Sequence, residues 1–95
     1  MIRVAIVDDH PIVREGLVAA LGDEADLKIV GSAGSTDELI SHSETWRPDV
    51  VVLDFEMPGL SGIAAARELA RKLPNARVII FTAYYFSAKT DRLRE

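Results

Sequence analysis

Cysteine is absent from these 95 residues, which excludes disulfides and thiolate metal sites. Basic residues are outnumbered, 11 Lys and Arg against 15 Asp and Glu, for a net charge of −4. That balance excludes a chain that grips nucleic acid by its own charge. No apolar run approaches the roughly 20 residues of a membrane span. The N-terminus opens directly on a strand pattern and lacks a secretory signal, so a cytoplasmic protein with no membrane partner is expected. Linkers, internal repeats and low-complexity segments are also missing, and residues 1–95 are expected to form a single domain. What the chain does have is a core: 48% of its residues are apolar, which excludes a disordered polymer.

The most informative stretch is Val50-Val51-Val52-Leu53-Asp54. Four apolar residues, three of them β-branched, predict a short strand buried on both faces of a parallel sheet. The run stops on a carboxylate, and Pro58-Gly59 forces a turn soon after. Taken alone, Asp54 reads equally as a cap for that turn or as a group delivered to the carboxyl edge of the sheet. Open α/β sheets bind their ligands at that edge.

The first strand candidate, Ile2 to Val7, also ends on carboxylates, Asp8-Asp9. If the two strands lie side by side, Asp8, Asp9 and Asp54 converge. Carboxylates gathered in this way repel one another unless a cation sits among them. Oxygen-only ligands suit a hard ion, and Mg²⁺ binds through one or two carboxylates plus phosphate and water. His10, with no second histidine close by, is expected at the entrance of the next helix, facing solvent.

The remaining elements alternate. Pro11 to Gly22 predicts an amphipathic helix with Val13, Leu17, Ala20 and Leu21 on one face. Leu27 to Gly31 predicts an edge strand. Ser35 and Glu38 have capping-box spacing, so a helix is expected from there to about Thr45, with Trp46 packing at its end. Ser61 can cap a helix that turns Ile63, Ala66, Leu69, Ala70 and Leu73 inward, ended by Pro74-Asn75. Arg77 to Phe81 is a fourth strand, followed by Thr82, and residues 84–95 read as a polar tail or frayed helix. This βαβαβαβ order demands a parallel sheet with right-handed crossovers.

Asp8, Asp9, Asp54 and Thr82 each stand at the end of a predicted strand, a set suited to phosphoryl transfer onto Asp54. Three stretches, Val7-Asp8-Asp9-His10-Pro11-Ile12-Val13-Arg14-Glu15-Gly16-Leu17, Leu53 to Gly62 and Phe81-Thr82-Ala83, resemble the receiver domain of bacterial response regulators. The first of them is similar to the NarL/FixJ branch, which carries a LuxR-type DNA-binding output. The resemblance implies a flavodoxin-like (CheY-like) doubly wound sheet of order 2-1-3-4, cut before the fifth strand. It further implies Asp54 as phosphoacceptor for a sensor histidine kinase. Asp8, Asp9, Asp54 and the backbone carbonyl of Glu56 would hold Mg²⁺, and Thr82 would be the switch hydroxyl.

Departures from the family pattern matter too. The fifth-strand Lys-Pro pair and its aromatic are absent, and Lys89, seven residues after Thr82, lies in the polar tail and does not take that role. The fourth strand is then expected to expose an apolar edge and to favour a homodimer or a domain-swapped oligomer. Two other readings stay open at this point: a haloacid-dehalogenase-type phosphohydrolase using Asp54 as nucleophile, and a binding module independent of phosphorylation.

Overall fold

The computed structural model describes residues 1–54 and 62–81. Eight elements follow one another: β1 Ile2–Val7, α1 Pro11–Gly22, β2 Leu27–Ala33, α2 Thr36–Ser41, α3 Ser43–Trp46, β3 Val50–Asp54, α4 Gly62–Lys72 and β4 Arg77–Phe81. The strands form one sheet in the order β2-β1-β3-β4, every neighbouring pair parallel. This is the expected flavodoxin-like α/β arrangement, with β1 and β3 central.

The centre is apolar because these two strands are buried on alternate faces. Ala5 and Val7 of β1, with Val51 and Leu53 of β3, pack against Leu39 of α2 and against Ala65 and Leu69 of α4. Burying each of the leucines contributes about 1.5–3 kcal/mol. On the opposite face Val4 and Ile6 are buried, while α1 covers the sheet with half-buried Val13, Leu17 and Leu21. Ala20 is exposed and leaves that stripe narrower than expected.

Three local departures from the sequence expectations have physical causes. β2 continues to Ala33, and its register against β1 slips between Val4 and Ala5, so that Val30 is the extra residue of a bulge. The helix expected from Ser35 to Thr45 is broken in two at His42. Ser35 does cap it, accepting from the Glu38 N–H at 3.1 Å, but the Glu38 carboxylate reaches back to the Gly34 N–H at 2.9 Å. At the break, the Ser41 and Ser43 hydroxyls donate to the carbonyls of Glu38 and Ile40 at 2.6 and 2.8 Å. Such back-bonding competes with the helix and bends it.

The third departure lies on α4, where Ala65 and Leu69 form the buried seam. Ile63 and Ala70 face outward instead, Ile63 with 54% of its surface exposed. Position 63 is two residues from 65, about 200° around the helix, and so lands on the opposite face.

Arg3 fixes the opposite end of the sheet. Its guanidinium donates to the Trp46 carbonyl at 2.6 and 3.0 Å and to the Arg47 carbonyl at 3.1 Å, closing the end of α3. Its backbone N–H donates to the Asp49 carboxylate at 2.9 Å. On the far edge, β4 pairs only with β3 among the described residues. Ile79 and Ile80 of that strand, which point to opposite faces, are 54% and 41% exposed. Among the described residues no helix is long and apolar enough to cross a membrane.

Candidate functional site

Main-chain pairing builds the site. Val7 of β1 is the register partner of Leu53 of β3, so the next residues, Asp8 and Asp54, emerge side by side at the carboxyl edge of the sheet. The β1 ladder runs one residue further, the Asp8 N–H donating to the Ala33 carbonyl at 3.0 Å. The Asp8 carbonyl in turn accepts from Arg14 Nη1 at 2.9 Å. Asp8 is fully buried and Asp54 is 2% exposed. Asp9 is half-buried beside them.

Pro11 opens α1 and makes His10 its N-cap. The His10 N–H donates to Asp8 Oδ1 at 2.8 Å, and this turn brings the imidazole back over the carboxylates. His10 Nδ1 stands 3.0 Å from Asp8 Oδ1, 3.1 Å from Asp9 Oδ1 and 3.3 Å from Asp54 Oδ2. The contact with Asp9 is one of charge, since Asp9 Oδ1 has no aligned hydrogen-bond donor. The imidazole pKa is raised above its ordinary value, first by the hydrogen bond to Asp8 and next by the charge of Asp9.

One ligand atom from each of Asp8, Asp9, His10 and Asp54 lies within 4.8 Å of the others, a grouping able to hold a metal ion. Asp8 Oδ2 is buried without a hydrogen-bond partner. A desolvated carboxylate oxygen left in this state is costly, and a cation at the cluster would satisfy it. The residues therefore fit a divalent ion.

The structure thus brings together Asp8, Asp9 and Asp54, as the sequence predicts. Glu56, Met57-Pro58-Gly59, Thr82 and Lys89 lie outside the described residues. His10 stands at the helix entrance and is exposed, as expected, but sequence reasoning missed the turn of its imidazole onto the cluster. The available signal was Pro11, which fixes the helix start and leaves residue 10 as a cap beside the strand ends.

Comparison with known proteins agrees with this geometry. The chain is 44% identical over 84 residues to the DNA-binding transcriptional activator DevR/DosR of Mycobacterium tuberculosis, covering 88% of this chain and 39% of that protein. The chain thus spans about two fifths of the length of the curated relatives it matches. Its fold superposes on the signal receiver domain of the putative response regulator NarL from Mycobacterium tuberculosis with a TM-score of 0.75 and 34% identity, over 86% of this chain and 66% of that one. A LuxR-family two-component response regulator from Aurantimonas sp. SI85-9A1 is similar too, with a TM-score of 0.75 and 38% identity, over 84% of this chain and 57% of the other. Those relatives include NarL- and LuxR-family response regulators; the model of the response regulator receiver domain matches residues 4–93, and the chain belongs to that family.

Proposed function

We propose that residues 1–95 act as a single phosphoacceptor receiver module, with Asp54 taking a phosphoryl group from a sensor histidine kinase. The observation that carries this reading is the burial of Asp54 at the end of β3, beside Asp8 and Asp9. A carboxylate oxygen of Asp54 attacks phosphorus, the bond from phosphorus to the donor imidazole nitrogen breaks, and its electron pair leaves with that imidazole. The product is an acyl phosphate on Asp54. Asp8, Asp9 and Asp54, with the Glu56 carbonyl, are the residues that would hold Mg²⁺. When bound, that ion supplies positive charge against the phosphoryl oxygens. Thr82 is assigned as the hydroxyl that reads the phosphoryl group.

The reading is of a cytoplasmic signalling module in a two-component system, not of a turnover enzyme. Its output is DNA-binding transcriptional regulation, a reading supported by its likeness to a relative described as a DNA-binding transcriptional activator, DevR/DosR. Incubation with acetyl phosphate and Mg²⁺ is expected to add one phosphoryl group by intact mass, and Asp54→Asn to remove it. Modification retained in Asp54→Asn, or sustained hydrolysis of a phosphate ester, would contradict the reading.

A further inference from the structure

Hydrogen bonds hold Asp8 from more than one element. Its N–H donates to the Ala33 carbonyl at 3.0 Å, its Oδ1 accepts from the His10 N–H at 2.8 Å, and its carbonyl accepts from Arg14 Nη1 at 2.9 Å. The first two bonds belong to the strand ladder and the helix cap. The last is different in kind, because a half-buried guanidinium is directed at a neutral carbonyl six residues earlier. That carbonyl and the Cα of Asp9 lie in one rigid peptide plane. Fixing the oxygen therefore fixes the direction in which Asp9 leaves the strand end. Gly34 leaves room for the contact: a Cβ at position 34 would lie 3.1 Å from Arg14 Nη1, closer than the ordinary approach of such atoms. Gly34 is anchored in turn, its N–H donating to the Glu38 carboxylate at 2.9 Å.

We propose that Arg14 is a positioning residue for the acidic site, holding the Asp8–Asp9 peptide so that both carboxylates meet Asp54, with Gly34 as the gap that admits its guanidinium. The inference rests on the reading that these carboxylates hold Mg²⁺ for phosphoryl transfer to Asp54. Arg14 acts here through geometry and against its own charge. A neighbouring cation by itself opposes a divalent ion, so a purely electrostatic role would make Arg14→Ala bind Mg²⁺ more tightly. A positioning role has the opposite sign, since ligands that lose their outer support bind more weakly.

Calorimetric titration with MgCl₂, melting in metal-free buffer and phosphorylation by acetyl phosphate test this. Arg14→Ala is expected to weaken Mg²⁺ binding about tenfold. The Mg²⁺ concentration that half-saturates phosphorylation should rise by the same factor, with a smaller change in rate at saturating Mg²⁺. Arg14→Lys keeps a charged donor and should recover part of the affinity. Gly34→Ala keeps the charge but pushes the guanidinium off the carbonyl. It should weaken Mg²⁺ binding on its own and have no further effect in an Arg14→Ala background. A lower melting temperature with unchanged Mg²⁺ affinity in Arg14→Ala and Gly34→Ala overturns the proposal, because Arg14 would then only support the fold. Tighter Mg²⁺ binding in Arg14→Ala also overturns it. If Arg14→Ala does not fold, Gly34→Ala decides, weaker binding supporting the proposal and wild-type binding refuting it. A wild type that binds no Mg²⁺ and takes no phosphate overturns the reading beneath the proposal as well.

Discussion

The indole of Trp46 fills the space at Gly31 where any other residue would carry its Cβ, with three ring atoms too close for that carbon to fit. Trp46 is also stacked on His42, the ring centroids 4.5 Å apart, and it packs against the buried core. Edge strand and helix are therefore locked through a residue with no side chain. Gly31→Ala is expected to cost about 1–3 kcal/mol by overpacking, read as a lower urea midpoint with an unchanged slope. Adding Trp46→Ala should make the effect of Gly31→Ala much smaller. A full loss in both backgrounds would show that the indole is not the obstacle.

The carboxylate cluster predicts a link between charge and stability. Asp54→Asn removes one of the converging carboxylates and should raise the melting temperature of the metal-free protein. Mg²⁺ should stabilise the wild type by mass action, and Asp9→Asn should abolish most of that shift. A melting curve for the wild type that does not move across a Mg²⁺ titration would count against the cluster as a metal site.

His10 sets the direction of a pH effect. Its pKa is raised in the folded protein, first by the hydrogen bond to Asp8 and then by the charge of Asp9. Its contribution to stability is therefore fully present below about 6.5, the ordinary imidazole value, and is lost as pH rises through the raised folded value. In metal-free buffer, NMR titration of the His10 ring should give a midpoint above about 6.5. The ring is half in solvent, so salt should shrink the shift. A midpoint at or below the ordinary value would refute the pairing.

The fourth strand predicts association. Ile79 and Ile80 leave β4 with apolar surface on both faces, at a sheet edge among the described residues. Homodimers or swapped oligomers are expected, formed without phosphodonor, with a light-scattering mass that rises with concentration. Ile79→Lys should lower that mass toward the monomer. Association that appears only after phosphorylation would assign it to a switch and not to the apolar edge.

Much of this was legible in the sequence, because β1 and β3 read as nearly continuous apolar runs, although in β3 only Val51, Leu53 and Asp54 are buried and Val50 and Val52 are half-buried. Val50 to Leu53 could be placed in the sheet without knowing its neighbours, and the carboxylates at 8, 9 and 54 followed. What escaped depended on tertiary contact. Val30 bulges only in relation to β1, and α2 breaks because two serine hydroxyls reach its carbonyls. Ile63 is outward because the seam runs through Ala65, a residue too small to stand out in an Ala-rich run. The His10 ring could be placed only once the acidic strand ends were known to meet.

The register of Val7 on Leu53 has one more consequence. Adjacent strands stand about 4.8 Å apart whatever side chains they carry, so the spacing between Asp8 and Asp54 is measured out by peptide groups. Residues on the outside of α1, such as Ile12 with 85% of its surface exposed, have no part in that measurement. Substitution there can change the surface beside the carboxylates while the distance between them stays the same. A scaffold of this kind lets a lineage vary the surface around the site and inherit its chemistry intact.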